Sequence, residues 1–236
     1  MRGCLITIAA LVVVMVTAAW FLLPPLAGTV AEGALVAAGF KADTSTVTVG
    51  SDPPLKLLTL TADALRIRAT NVAFRGVEAA SADITLTDVA VVDQSFKTLT
   101  GSLKGVRFKP EHGAELGVPL VELSGTPDQV TATLTLPKAD AEALAVAAVE
   151  NAVGITPSSV ALTSPDKVRV TAGGLTVDAR LRVGDDGSLD LIAPSGSDLG
   201  SVELISPGVE LPVRVESYKI VDGGLILVAT LDPGLH

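Results

Sequence analysis

The chain has 236 residues, and its 17 lysine and arginine residues against 26 aspartate and glutamate residues give a formal net charge of −9. Such an acidic chain lacks the basic face of a nucleic-acid-binding protein, so we expect no nucleic-acid partner. One cysteine and two histidines exclude an intrachain disulfide, a cysteine zinc site and a paired-histidine zinc helix. Because no glycine-rich segment leads into a helix as a phosphate loop does, we also predict no nucleotide or redox cofactor.

The chain begins with a long apolar segment. Residues 3–23 are interrupted only by two threonines, and Arg2 is the one charged side chain before them. A helix of this length spans about 30 Å, the thickness of a hydrocarbon core. The positive-inside rule then places residues 26–236 outside the cytoplasm. We predict a single-pass membrane protein in which residues 1–25 form a transmembrane anchor or signal segment and residues 3–23 enter the bilayer.

A cleaved signal peptide is the alternative for the same segment. Cleavage after Thr17-Ala18-Ala19 would leave four apolar residues, Trp20 to Leu23, at the start of the mature chain. We favour the uncleaved anchor for this reason. With cleavage, the domain of residues 26–236 would be exported or periplasmic.

Two helices are predicted after the apolar segment. The first is a short alanine-rich helix over Leu26–Phe40. The second covers Lys138–Val153, with Pro137 before it, acidic residues in its first turn and Gly154 after it. Its apolar stripe has the spacing of a helix with one buried face and contains Ala141, Leu144, Ala145, Ala148, Val149 and Ala152.

Most of the remaining chain alternates apolar and polar residues, which is typical of sheets with one apolar face and one face in water. The clearest runs lie within residues 65–70, 82–87, 130–136, 168–183 and 209–216. Phase slips near Asn71 and Asp88 predict β-bulges. Turn signals at Gly173-Gly174, Asp185-Asp186-Gly187 and Asp222-Gly223-Gly224 separate the strands. We predict one β-rich domain over residues 26–236.

Charge is unevenly divided along this predicted domain. Residues 26–110 contain nine basic and eight acidic side chains, whereas residues 111–236 contain seven basic and 18 acidic side chains. Anionic lipid headgroups would therefore repel the second half and tolerate the first. Ordinary surface charge that keeps a protein soluble explains the same asymmetry equally well.

The order of these elements resembles that of the LmeA-like family of actinobacterial envelope proteins. The resemblance rests on "AAGF", "PPLKLLTLTADALRIRATNV", "ADITLTDVAV", "TATLTLPKADAEALAVAAVENAV", "DKVRVTAGGLTVDARLRVGDDGSLDLI" and "LPVRVESYKIVDGGLILVATLD", and it covers roughly residues 26–232. It implies a phospholipid-binding, non-enzymatic protein linked to lipoglycan assembly. The implied fold is α+β, a TULIP-like half-barrel of strongly curved antiparallel sheets wrapped on two helices, after an N-terminal transmembrane helix. The family has no charged signature from which binding residues are transferable.

The interior is poor in aromatic side chains, and the helix faces are largely alanine. Alanine either lets helix and sheet pack closely, or it leaves an elongated groove for an acyl chain. The resemblance favours the groove, which we expect to be partly open and to lie between the second helix and the strands. The candidate lipid-binding residues are Leu35, Ile67, Ile84, Leu86, Ala141, Leu144, Ala148 and Val149.

Four other constellations carry little chemistry. Asp185-Asp186-Gly187 lacks the alternating ligands of a calcium loop and is predicted to be a hairpin turn. His112, beside Glu111, is predicted to lie in a solvated loop. Arg66 and Arg68, like the pair Arg180 and Arg182, are predicted to point away from the apolar residues into water, with a headgroup contact by Arg66 or Arg68 as the alternative.

Three functions compete on this evidence. The first is a membrane-anchored, exported phospholipid-binding protein of the cell envelope that holds acyl chains in an apolar groove and supports envelope lipid or lipoglycan assembly. The second is a non-enzymatic β-rich scaffold or protein-interaction domain with a filled core. The third, a hydrolase, is disfavoured because histidine is scarce and no nucleophile elbow is present, although paired carboxylates could still meet in space. We predict that the protein is not an enzyme and that its partner is membrane phospholipid; the sequence names no protein partner.

Overall fold

The computed structural model describes residues 41–74, 77–90, 93, 95–108, 116–194, 200–205 and 213–231. These residues are mostly β-strand. The helical elements are a 3₁₀ helix (Pro54–Thr59) and the α-helix α1 (Lys138–Val153). The strands are β1 (Thr44–Gly50), β2 (Thr61–Phe74), β3 (Val77–Ala90), β4 (Thr98–Phe108), β5 (Leu116–Thr126), β6 (Gln129–Pro137), β7 (Ser159–Thr163), β8 (Lys167–Ala172), β9 (Leu175–Val183), β10 (Leu189–Ile192), β11 (Ser201–Ile205), β12 (Val213–Val221) and β13 (Gly224–Leu231).

The strands form two antiparallel sheets. The large sheet has the order β1-β2-β3-β4-β5-β6-β13-β12, and the small sheet has the order β11-β10-β9-β8-β7. Strands β1 to β6 each pair with their neighbours in sequence, and the C-terminal hairpin β12–β13 then pairs with β6. The helix and the small sheet are therefore inserted between β6 and the hairpin that completes the large sheet.

Apolar residues of the large sheet share one face because the registers of its strands bring them together. One row crosses all eight strands through Val47, Ile67, Ile84, Gly101, Leu123, Ala132, Ala229 and Val215. A second row runs through Val49, Leu65, Leu86, Leu99, Gly125 and Val130. The intervening residues are largely threonine, serine and charged side chains, so the opposite face is polar.

The predicted phase slips occur, but they are not β-bulges. Asn71 and Asp88 both have a φ of 48°, and the buried face changes its phase next to each of them. The pairs Thr70–Ser81 and Val72–Ala79 nevertheless lie in the same register. A bulge would have shifted the register by one residue. Here the alternation of buried and exposed residues shifts at the same place on both β2 and β3, and their pairing is unchanged.

The helix α1 matches the predicted boundaries, Lys138–Val153. Gly154 ends it in the left-handed conformation with a φ of 72°, and its N–H donates to the Glu150 carbonyl at 2.8 Å. Ala141, Ala145 and Val149 are its buried residues. The helix contacts β7 and β11 of the small sheet and β5, β6 and β13 of the large sheet. Small alanine side chains allow this close approach to both sheets.

The buried side chains form two clusters. The main cluster joins α1, the small sheet and the large sheet, and it includes Val118, Leu136, Val168 and Leu227. The second cluster lies beneath the 3₁₀ helix on β1 to β3, and it consists of Val49, Leu57, Ala62, Leu65, Ile67 and Val89. The two clusters are separate, although both use the same face of the large sheet.

Strand β12 links the two sheets at the edge of the large sheet. The Tyr218 hydroxyl donates to the Leu181 carbonyl of β9 at 2.5 Å. The Val215 N–H donates to the Gly187 carbonyl, in the turn between β9 and β10, at 2.9 Å. Burial raises the pKa of Tyr218, so its hydroxyl keeps the proton that it donates. The edge of the large sheet is thus fixed to the small sheet by hydrogen bonds.

Two predictions of the previous subsection are corrected here. The fold is not a TULIP-like half-barrel: the described residues form two antiparallel sheets that are neither strongly curved nor wrapped on two helices, and α1 is their one α-helix. The prediction of a single-pass membrane protein is wrong as far as the described residues go. None of their helices has the length and apolar character needed to cross a membrane. The segments behind these predictions, residues 3–23 and Leu26–Phe40, lie outside the described residues.

Candidate functional site

A band of incompletely covered apolar side chains lies between the two clusters on the large sheet. We call it the apolar band and define it by Ile84, Leu86, Leu99, Leu123 and Val130 on strands β3 to β6. All five side chains are half-buried, whereas their neighbours Leu65, Ile67 and Ala132 in the same rows are buried. The middle of an eight-stranded apolar face would be buried if the chain covered it fully. The apolar band is therefore partly accessible from outside the protein.

Two glycines interrupt the apolar band. Gly101 lies between Ile84 and Leu123 in one row, and Gly125 lies between Leu99 and Val130 in the next. A Cβ added at Gly101 would lie 2.7 Å from the Asp83 carbonyl oxygen and 2.9 Å from the Ile84 Cα, so a side chain does not fit without movement of the backbone. Glycine is therefore required at this point of the band, where the backbone of β3 lies close to β4.

The structure separates the candidate lipid-binding residues into two groups. Ile67 belongs to the second cluster, and Ile84 and Leu86 pack against it from the apolar band. The helix residues Ala141, Leu144, Ala148 and Val149 all belong to or border the main cluster. Leu35 lies outside the described residues. Val149 is buried against its neighbours, whereas Leu144 and Ala148 are half-buried, so only the latter two border open space.

The polar face of the large sheet carries Arg66 and Arg68, two of the basic residues predicted to point into water. Arg66 donates to both carboxylate oxygens of Asp83, at 2.9 and 2.7 Å, and Arg68 lies 3.5 Å from the same carboxylate. The hydrogen bonds from Arg66 hold the pKa of the Asp83 carboxyl below its ordinary value. Arg66 is thus engaged by a carboxylate on the face opposite to the apolar band.

A depression of about 490 Å³ lies on this polar face. Its lining includes Arg66, Asp83, Thr100, Ser102 and Glu122. Hydroxyl and charged groups cannot replace water around an acyl chain without losing their own hydration. The depression is therefore unsuited to a lipid tail.

The connection between β1 and β2 presents a second apolar surface. We call it the leucine tip and define it by Leu55, Leu58 and Leu60, whose exposed fractions are 44%, 66% and 50%. Leu57, between them, is buried in the second cluster, which Leu86 of the apolar band also contacts. The tip thus lies at the end of the large sheet that the two apolar rows approach.

Sequence reasoning missed the leucine tip and most of the apolar band. The segment PLKLLT contains leucines at spacings that fit neither an alternating strand nor an amphipathic helix. The four closely spaced leucines after Pro53-Pro54 were the available signal. In β4 and β5, glycines break the alternation at the positions where the band passes, so Leu99 and Leu123 did not stand out.

No constellation for metal chemistry occurs among the described residues. None of their histidine, cysteine, aspartate and glutamate side chains form a group of three or more that could hold a metal ion. His112 lies outside the described part of the chain. The Asp185-Asp186-Gly187 segment forms the hairpin turn between β9 and β10, in which the Asp186 carboxylate accepts a hydrogen bond from the Ser188 N–H at 3.0 Å.

Comparison with known families adds a specific match. Residues 18–230 match the model of the LmeA-like phospholipid-binding family. The chain belongs to this family. The match extends over α1, the small sheet and all of the large sheet except Leu231 of this LmeA-like protein. Searches of curated proteins and of solved structures gave no significant match.

Proposed function

We propose that this LmeA-like protein holds a phospholipid whose acyl chains lie along the apolar band. The observation that carries the proposal is a band of half-buried leucine, isoleucine and valine side chains on a protein of a phospholipid-binding family. The band extends over four adjacent strands, which is about 14 Å at the usual strand spacing. Each methylene group that moves from water onto this surface contributes about 0.8 kcal/mol.

The earlier candidate residues take different roles in this proposal. Ile84 and Leu86 contact the acyl chain, and Ile67 supports them from the buried row beside them. Leu144 and Ala148 are the residues of α1 that border open space, at the edge of the main cluster. Ala141 and Val149 hold that helix against the main cluster, because both are buried. The polar face, with the Arg66–Asp83 pair, takes no part in holding the acyl chains.

The proposed task is binding without catalysis. A scaffold or protein-interaction domain is the competing function, and it requires that the apolar band stays free of lipid. The support for an additional role in envelope lipid or lipoglycan assembly is the family resemblance. Comparing the lipoglycans of cells with and without the gene tests that role.

Two adjacent residues of β4 give a matched test of the lipid site. Leu99 belongs to the apolar band, whereas Thr100 is exposed on the polar face. Leu99→Asp places a carboxylate against the acyl chain, and an unpaired charge there costs several kcal/mol. Thr100→Asp makes the same charge change on the other face. Both proteins are purified and their co-purified phospholipid is quantified by native mass spectrometry and lipid extraction.

We expect the parent protein and Thr100→Asp to carry phospholipid and Leu99→Asp to lose at least nine-tenths of it. Thermal unfolding of each protein checks that it is folded. Loss of the half-buried Leu99 should lower the free energy of unfolding by about 1–2 kcal/mol, so we expect the fold to remain. A parent protein without phospholipid, or equal lipid in the two variants, would refute the proposed site.

A further inference from the structure

We infer that the leucine tip docks the protein on the surface of a phospholipid bilayer. The inference rests on the proposed function, because a protein that holds a phospholipid has to take it from a membrane or return it to one. Leu58 is 66% exposed, and Leu55 and Leu60 are about half exposed. Three neighbouring leucines in water form an apolar patch that a lipid surface would cover.

The backbone of the tip is held in place before it meets a partner. Leu57 is buried in the second cluster. The Thr59 hydroxyl donates to the Lys56 carbonyl at 2.7 Å, and the Leu60 N–H donates to the Leu57 carbonyl at 3.1 Å. The Lys56 ammonium lies 2.8 Å from the Asp63 carboxylate. Ordering of the tip therefore costs little when it docks.

Leu60 is a poor residue for the stability of its turn. Its φ of 56° lies in the left-handed region, where glycine or asparagine is the usual residue. The side chain is half exposed, so burial offsets only part of the conformational cost. The exposed leucine at this position is explained by contact with a surface outside the folded chain.

The composition of the tip favours a lipid surface over a protein partner. Protein interfaces concentrate their binding energy in tryptophan, tyrosine and arginine, and leucine is under-represented among such residues. The tip contains leucines and Lys56, whose charge is balanced by Asp63. It also belongs to the nearly neutral half of the sequence, which anionic headgroups do not repel as they repel residues 111–236.

The tip and the apolar band are connected through the second cluster. Leu57 of the tip is a member of this cluster, and Leu86 of the band packs against it. Docking of the leucine tip on a bilayer would bring this end of the apolar face to the lipid surface. A phospholipid could then move between bilayer and band with a short exposure of its chains to water.

A local fluorescent probe tests docking in the full chain, whatever the other segments do. The labelled protein is Cys4→Ser/Leu58→Cys, which carries an environment-sensitive nitrobenzoxadiazole (NBD) group at position 58. The matched control is Cys4→Ser/Leu175→Cys, since Leu175 on the small sheet is 74% exposed. Both are mixed with phosphatidylcholine vesicles that contain a fraction of spin-labelled phosphatidylcholine.

We expect a blue shift and quenching of the probe at position 58 and neither at position 175. Equal responses at the two positions, or a probe at position 58 that stays in water, would overturn the inference. A third protein also carries Leu55→Ser and Leu60→Ser. The exposed parts of these two leucines together equal about one fully exposed leucine side chain, so the partition of the tip into the lipid should fall about tenfold. Quenching should also be the same in 0.1 and 0.5 M salt, and its loss in high salt would contradict apolar docking.

The two hypotheses fail in distinguishable ways. If phospholipid co-purifies with the protein but the probe at position 58 is not quenched, docking by the leucine tip is contradicted and the lipid site on the apolar band is not. Quenching at position 58 in a protein that carries no phospholipid supports the docking tip and contradicts the lipid site on the apolar band.

Discussion

Enlarging two alanines of α1 should reveal which side of the helix is closed. Ala145 is 1% exposed and lies in the main cluster, whereas Ala148 is half-buried on its border. Leucine adds three carbon atoms at either position. At Ala145 these atoms over-pack a closed interior, which costs about 1–3 kcal/mol. At Ala148 they extend into space that the chain leaves open, so we expect a change within about 0.5 kcal/mol.

Thermal unfolding of lipid-free Ala145→Leu and Ala148→Leu measures this difference. For a chain of this size, 1 kcal/mol shifts Tm by about 2–4 °C, so Ala145→Leu should melt about 2–12 °C lower and Ala148→Leu within about 2 °C of the parent. The larger Ala148→Trp should keep the fold and reduce the bound phospholipid. Equal losses of stability at the two positions would show that no open wall lies beside Ala148.

Three further predictions concern the surface and the contact between the sheets. Tyr218→Phe removes the hydrogen bond to Leu181 and should lower the free energy of unfolding by about 1 kcal/mol, measured by urea unfolding; an unchanged midpoint would contradict a role in joining the sheets. Folding lowers the pKa of Asp83, so the pair with Arg66 stabilises the protein above about pH 4 and is lost as the pH falls. Asp83→Asn should therefore show a smaller fall in Tm between pH 5 and pH 3 than the parent, and an identical acid profile would argue against it. Leu60→Asn should keep or raise Tm, because asparagine tolerates the left-handed turn, while quenching at the leucine tip falls; a lower Tm would show that Leu60 supports the fold.

The local elements of this fold were predictable because each has its own periodicity. The boundaries of α1 followed from Pro137, the apolar spacing and Gly154, and the alternating runs gave the strands around Ile67 and Leu134. The arrangement was not predictable in the same way. An alternating strand fits a flat sheet as well as a half-barrel, and the pairing of β6 with β13 joins segments that lie far apart in the sequence.

The candidate site was predicted in part, and the reason is physical. Ile84 and Leu86 were named as candidates because their strand alternates cleanly; the structure places them on the half-buried face, and their contact with a lipid stays a prediction. Ala141 and Val149 were expected to border a groove because small side chains leave space. The two sheets approach the helix closely enough to fill that space. Exposure depends on what lies opposite a residue, and a single sequence does not specify it.

The late pairing of β13 with β6 also has a consequence for biosynthesis. Strand β6 leaves the ribosome well before β13, and residues 138–223 are made in between. Until the C-terminal hairpin arrives, the alternating threonine and aliphatic residues of β6 present an unpaired sheet edge to other nascent chains. Truncations that end before Val213 should therefore accumulate as aggregates, because β6 then lacks its partner strand β13.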